Sequence, residues 1–404
     1  MRKTSDTFSK ANDLLYAILM GMGQITKPVQ KLICELVPLW WSNPGRYNFT
    51  NLSRYSNYSE KSLRTGFERG FNWLQFNLNM LDRKDPNRYI IGFDTTHIRK
   101  SGHKTPGIGY FWSGKEKRMR HGLEVGCLAA IDLKNQTGLS LEAIQTPSNR
   151  HKKKKINLIT HFTQVFRDRA TRLLTISKFV VVDGYFMKKK FILPLLDMGF
   201  HTITKMRQDA RLHYLYKGKT KTGRPRKYTG RVNLSAIDKG YMRLFANKNG
   251  IEYYSGNLFC RVLNRIVKIV YAQNSKTKEY EVLLCTDLLL EDEKIVYYYT
   301  QRFQIEFLIR DAKQHAGLED CQARSLKKYA FHFNMSFSSV SLAKVAFHME
   351  STNQSRPFSM QNIKRLYYNY LLIEQLLSYS GLDLKFMKTK KGIQECLNFG
   401  QIAA

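Results

Sequence analysis

Two short apolar runs, each closed by an aspartate, constrain this chain most: Tyr89-Ile90-Ile91-Gly92-Phe93 ends at Asp94, and Phe179-Val180-Val181-Val182 ends at Asp183. Runs of this length, rich in β-branched and aromatic residues, are strands that bury their side chains. Each therefore presents a carboxylate at the end of a buried strand. A third acid, Glu306, belongs to the set Tyr299, Arg302, Glu306 and Lys313, whose spacing stacks them along one face if the segment is a single helix. A carboxylate set among cations and a phenol suits a metal held beside phosphates.

The balance of charge points to a polyanionic partner. Lysine and arginine number 66 against 32 acids, a net charge of +34, and such a field draws in nucleic acid. At 43% hydrophobic and 13% aromatic residues, the chain is no disordered basic tail and has the material for large cores. With 404 residues, more than one domain is expected. No run approaches the roughly 18 apolar residues of a membrane span, and the N-terminus Met1-Arg2-Lys3-Thr4-Ser5-Asp6 lacks the hydrophobic stretch of a signal peptide right behind it. The reading is an intracellular, cytoplasmic, nucleoid-associated protein. The six cysteines (34, 127, 260, 285, 321 and 396) are scattered without a Cys-x-x-Cys pair, so most are read as small core residues.

Residues 1–86 read as a helical, DNA-binding N-terminal region. Leu14, Leu15, Ile18 and Leu19 form one apolar stripe and the stretch from Lys31 to Trp41 another. Thr50 is placed as the N-cap of a short helix and Ser59 as the cap of a second that carries Lys61, Arg64 and Arg69. That spacing is either helix-turn-helix-like or that of two ordinary packed helices.

From Tyr89 the pattern changes to strands: Tyr89 to Asp94, Leu123 to Ile131, and Leu139 to Ile144, the last two joined by the turn Asn135-Gln136-Thr137-Gly138. A helical stretch over 156–174 and the strand ending at Asp183 follow. Strand, strand, strand, helix, strand is the order of a ribonuclease H-like core, in which the first and fourth strands lie side by side and so bring Asp94 to Asp183. A helix from Met187 to Met198 and a strand from Phe200 to Thr204 close this first part, residues 87–205. Alternating stretches at 241–245, 251–254, 258–272 and 280–285 then make 206–286 a β-rich insertion with a basic loop. A helix from about Glu291 to Gln314 returns to the core, residues 287–345, with Ile295, Phe303, Phe307 and Leu308 as seats against the sheet. Residues 346–404 form a helical C-terminal region with Leu366, Leu371, Ile373, Leu376 and Leu377 as buried positions. The fold class is thus α/β: a ribonuclease H-like catalytic core with a β-rich insertion and helical ends.

Phosphodiester cleavage needs an activated oxygen in line with a leaving oxygen, and two divalent metals serve both ends. Carboxylates are natural ligands for Mg²⁺ and Mn²⁺. A lone Asp after a strand is most often a turn or cap residue, so the combination carries the argument. In that combination, Tyr299-x2-Arg302-x3-Glu306-x6-Lys313 with Gly92-Phe93-Asp94 and Val182-Asp183-Gly184-Tyr185-Phe186, the chain resembles the DDE transposases of bacterial insertion sequences, in the group marked by the Tyr-x2-Arg-x3-Glu-x6-Lys signature. The likeness covers about residues 87–325.

The resemblance implies a DNA transposase and endonuclease of DNA recombination. Asp94, Asp183 and Glu306 would be the catalytic, metal-binding triad for two Mg²⁺ or Mn²⁺ ions, and Tyr299, Arg302 and Lys313 would hold the phosphates of the transposon-end strand. It further implies that element ends and target, both double-stranded DNA, are the partners, that 3′-hydroxyls attack the target, and that the active complex is a homodimer. A hydrolytic ribonuclease H-like nuclease and a non-catalytic DNA-binding regulator derived from a transposase are the alternatives, with the intact set of acids against the second.

All four tryptophans (40, 41, 73 and 112) precede Asp183, so the insertion has none with which to stack a flipped base of a DNA hairpin. Tyr253 or Tyr254 would have to substitute, and the excision route stays open. The loop from Lys217 to Arg231 carries Arg224, Arg226 and Lys227 and no acid. Its Gly223-Arg224-Pro225 centre is either AT-hook-like, entering a minor groove, or part of a solvated loop that meets phosphates without sequence preference. The runs 152–155 and 188–190 read as backbone contacts or solvated faces. His97 and His121 read as structural or substrate-side contacts, since two-metal chemistry needs no histidine base.

Overall fold

A computed structural model describes residues 5–114, 116–148, 156–206, 211–218, 226–349, 357–381 and 391–401. Five helices open the chain: α1 (Ser5–Met20), α2 (Lys27–Ser42), α3 (Phe49–Arg54), α4 (Glu60–Gly66) and α5 (Trp73–Leu78). Strands β1 (Tyr89–Arg99), β2 (Gly109–Ser113), β3 (Arg118–Asp132) and β4 (Thr137–Gln145) follow, then α6 (Leu158–Arg167), α7 (Ala170–Leu174) and β5 (Phe179–Val182). Next come α8 (Lys189–Asp197), β6 (His201–Lys205), β7 (Leu212–Leu215), β8 (Tyr228–Arg231) and β9 (Arg243–Lys248). The hairpin strands β10 (Ile251–Cys260) and β11 (Arg265–Asn274) lead to β12 (Tyr280–Cys285). Helices α9 (Asp292–Gln301), α10 (Phe303–His315), α11 (Leu326–His348), α12 (Met360–Tyr379) and α13 (Lys391–Asn398) complete the described chain. The protein is mixed α/β, with a large mixed sheet and helices.

Two compact units share this chain. The first comprises Met1–Lys84, Thr95–His151 and Gln304–Ala404, the second Asp85–Asp94 and Lys152–Phe303. Strand β1 therefore passes from one to the other between Asp94 and Thr95.

In the first unit, α11 is buried on every side from Phe331 to Lys344, the mark of a helix wrapped by neighbours rather than laid on a surface. It contacts α1, α2, α12 and β4. Along β4 its side chains bond directly to the strand's backbone: Asn334 Oδ1 accepts from the Ala143 N–H at 2.8 Å, its Nδ2 donates to the Ala143 carbonyl at 3.0 Å, and Ser341 Oγ accepts from the Ser140 N–H at 2.8 Å. Asn334 and Ser341 fit here because each has a partner. Helix α2, with Pro28 in its first turn, buries Trp40 and Trp41 completely. Their indole N–H groups donate to the carbonyls of Ala316 and Ser339.

In the second unit, strands β1, β5 and β6 run parallel, and β6 continues antiparallel through β12, β11 and β10 to β7 and β8, with β9 also on β10. Phe93, the last apolar residue before Asp94, packs edge-on or tilted against Phe162, Phe166 and Phe186 with centroids 5.3 to 5.8 Å away. This aromatic cluster anchors the middle of β1 through area and ring geometry together.

Several local expectations change. The cap of α3 is Asn48, whose Oδ1 accepts from the Asn51 N–H at 2.8 Å, rather than Thr50, which lies within the helix; Ser59 does cap α4. Asparagine and threonine both cap, and two such residues so close in sequence leave the start undetermined. The stretch 258–272 is broken by a turn at 261–264 into β10 and β11. Ile295 and Leu308 are fully buried, but Phe303 and Phe307 are 55% and 37% exposed, and Leu376 is 67% exposed.

Candidate active site

Asp94 and Asp183 come together through strand pairing. Strands β1 and β5 are parallel, with Ile91 opposite Val180 and Gly92 opposite Val181. Continuing this register by two residues sets Asp94, midway along β1, beside Asp183, the residue just past the end of β5. Asp183 Oδ1 accepts from the Tyr185 N–H at 2.9 Å and thereby caps the short 3-10 turn Gly184–Phe186, while Thr204 Oγ1 donates to the Asp183 carbonyl at 2.8 Å. The strand end is thus fixed in both its side chain and its backbone.

Arg302 stands with these acids. Its Nη1 lies 3.2 Å from Asp94 Oδ2, with both side chains at most one-fifth exposed. Burial raises the pKa of Asp183, opposed by the Tyr185 N–H and by the charges of Arg302 and Lys188. Tyr299, one turn before Arg302, has its phenol pushed up to about 12, chiefly by burial, so it is a neutral donor at physiological pH.

The expected single helix over 291–314 is two. Helix α9 ends at Gln301 and α10 begins at Phe303. Between them the Arg302 N–H donates three residues back to the Tyr299 carbonyl at 3.1 Å, a tighter bond than the α-helical ladder and a frequent device at helix ends. Tyr299 and Arg302 thus lie before the break, Glu306 and Lys313 after it, and the expected four-residue face becomes two shorter ones.

In the first unit, Glu306 is half-buried in the opening turns of α10. Lys313, on the same face two turns later, donates its Nζ to the His97 carbonyl at 2.6 Å and pairs with Glu319 at 3.2 Å. His97 is held as the neutral imidazole by burial and by Lys313, both of which lower its pKa. A Cβ at Gly122 would stand 2.7 Å from its Nε2 and 2.3 Å from the Ile98 carbonyl, so this crossing demands glycine.

Sequence reading missed what seats α10. Gly138, at the start of β4, lies so close that a Cβ would meet the Gln304 carbonyl at 2.6 Å. One helix further on, fully buried Lys344 of α11 places its Nζ 3.6 Å from Asp311 of α10 and 3.5 Å from the Gly138 carbonyl. A lysine inside a helix of apolar and small residues was the available signal.

In the insertion, Arg226 and Lys227 are exposed, whereas Arg224 lies outside the described residues. The Arg226 guanidinium sits over the Tyr216 ring at 5.2 Å. Both residues line a groove of about 730 Å³ with Lys189 and Arg261 and the stacked rings of Tyr228 and Phe259. Tyr254 is buried and donates to Glu252 at 2.8 Å, which removes it as a stacking surface, while Tyr253 is half-buried.

Among the described residues no group of three or more His, Cys, Asp or Glu side chains is gathered to hold a metal ion. The Asp94 and Asp183 pair nonetheless has the chemistry for a hard divalent cation: oxygen donors on neighbouring strands, one of them an anion disfavoured by burial. No described helix is long and apolar enough to cross a membrane. The transposase DDE domain family matches the chain over residues 85–342. No curated protein matches it.

Proposed function

We propose, from the premise that this chain belongs to the transposase DDE domain family and is a transposase, that it binds the ends of its own element, cuts DNA to free 3′-hydroxyls and joins them to a target duplex. What supports this reading is the register of β1 and β5, which sets two acids side by side within the matched region, with Arg302 next to them. In this reading β1, β5 and their neighbours are the ribonuclease H-like core, residues 87–205 and 287–345. Residues 1–86 bind DNA, 206–286 are the insertion whose Arg224, Arg226 and Lys227 meet DNA, 346–404 form the C-terminal region, and the working complex on the nucleoid is a homodimer.

Asp94, Asp183 and Glu306 are the residues that would hold Mg²⁺ or Mn²⁺, two ions in this reading. When bound, these supply Lewis-acid stabilisation to the attacking and leaving oxygens of a phosphodiester. The chain's own groups position the strand. Arg302 offers a bidentate fork to a phosphate, Lys313 a compact charge, and neutral Tyr299 a hydroxyl donor. Cleavage and joining are one phosphoryl transfer with different nucleophiles, water first and a 3′-hydroxyl second, so one set of residues serves both.

Replacing Asp94 or Asp183 with Asn, or Glu306 with Gln, tests the assignment in a cleavage assay on end-bearing DNA. The rate should fall by roughly 10²–10³ or more, the scale seen when a group stabilising transition-state charge is removed. DNA binding should persist, since affinity rests on the many cations. A variant cutting at the wild-type rate removes that acid from the site. Wild-type protein that cuts but never joins strands is a nuclease instead, and one that binds without cutting is a regulator.

A further inference from the structure

The N-terminal helices carry a groove that the acidic site does not use. Helix α4 meets α2 where Gly66 faces Leu32, so closely that a Cβ at Gly66 would stand 2.7 Å from a Leu32 methyl. Beside this contact lies a groove of about 450 Å³ lined by Lys27 and Lys31 of α2, Lys61, Ser62 and Thr65 of α4, and Arg69 just beyond. Lys27 and Lys31 are one turn apart and so share a face. All four cations are exposed.

The groove contains no acid. The three glutamates of these helices and the turn after α4 are engaged elsewhere: Glu35 accepts from Ser56 and Asn57, Glu60 from Arg64 and Thr50, and Glu68 pairs with Lys328. No ion pair of Lys27, Lys31, Lys61 or Arg69 is present among the described residues. Four like charges facing one groove repel one another, and a polyanion relieves that repulsion while releasing its own counterions.

We infer that this groove is a docking site for the phosphate backbone of duplex DNA, a contact separate from the acids and from the insertion loop. Tyr58 is the groove's one aromatic side chain. Single-strand binders add stacking platforms to their cations, whereas cations and hydroxyls with little aromatic surface match backbone contact, which orients a duplex without reading its sequence. The inference rests on the transposase reading for its partner and names a contact surface that the reading leaves unspecified.

The test is the quadruple variant Lys27→Ala, Lys31→Ala, Lys61→Ala and Arg69→Ala in the full chain, with binding to a duplex oligonucleotide measured from 50 to 200 mM salt. At about 0.9 per neutralised phosphate, four lost contacts flatten the slope of log affinity against log salt by up to about 3.6. Over that fourfold range the wild type then weakens by roughly a hundredfold more than the variant. A second variant, Ser62→Glu with Thr65→Glu, leaves every cation in place and sets negative charge in the groove; it should weaken binding at least about tenfold at 50 mM salt. These six side chains are exposed, so thermal unfolding should match the wild type. If the wild type binds duplex DNA and both variants keep its slope and affinity, the groove is overturned while the transposase reading stands, and another anionic partner must be sought. Wild-type protein that binds no DNA overturns both.

Discussion

The cations of the acidic site and those of the N-terminal groove differ in what already holds them. Arg302 lies 3.2 Å from Asp94, and Lys313 is tied to the His97 carbonyl and Glu319. Lys344, deeper still, is fully buried against Asp311. In the groove, the four cations stand exposed with no ion pair among the described residues. Held cations are pre-organised and lose little freedom when a phosphate arrives, which favours positioning; unheld ones gain most from counterion release, which favours affinity. The same residue types therefore serve two purposes, separated by their protein partners.

The largest effect expected along this series is at Lys344. Removing it as Lys344→Met leaves Asp311 with the more exposed Arg310 at 3.4 Å as its ion-pair partner among the described residues, and losing one partner of a buried pair destabilises by on the order of 3 kcal/mol. A pH signature accompanies it. Burial pulls the Lys344 amine down to about 8, so between about 8 and its ordinary value the unfolded chain binds more protons than the folded one and stability rises with pH. The variant should lose that part of the rise, while Lys364, also pulled down to about 8, keeps the remainder. Denaturant unfolding at pH 7, 8.5 and 10 measures both; an unchanged midpoint at pH 7 would mean that Lys344 does not seat α10.

Next comes Arg302. Arg302→Ala should slow cleavage about ten- to a hundredfold with DNA saturating while affinity changes little, and Arg302→Lys should recover only part, because an ammonium lacks the bidentate fork. Lys313→Ala should act the same way but less. A loss confined to affinity would erase the distinction between held and unheld cations.

The smallest effect belongs to the insertion. Neutralising Arg226 and Lys227 together should flatten the salt slope by about 1.8, two phosphates' worth. Running the series on AT-rich and GC-rich duplexes sharpens the result: a loss restricted to AT-rich DNA marks minor-groove insertion, and equal loss on both marks backbone contact.

Much of the arrangement was legible in the local pattern. The runs before Asp94 and Asp183 form strands as expected, although β1 continues past Asp94 to Arg99, and the pairing of β1 with β5 follows the expected strand order. The missed features share a cause. Phe303 and Phe307 have the spacing of a core stripe yet are exposed, Tyr254 alternates like a surface residue yet is buried, and Lys344 sits where charge is least expected. Periodicity shows which residues share a face of one element, but which neighbour covers that face depends on segments far away in sequence.

The sequence by itself determined the excess of positive charge, the acids that close two apolar runs, the cap at Ser59 and the spacing around Glu306, because each depends on composition or on residues within a few positions. Only the tertiary structure decided that Arg302 pairs with Asp94, that the helix expected over 291–314 divides at Arg302, that Lys344 is buried beneath α10, and that Gly66 draws α4 onto α2 to gather four cations in one groove. These are matters of burial and close approach between distant segments, and their free energy comes from desolvation and packing, which exist only once the segments have met.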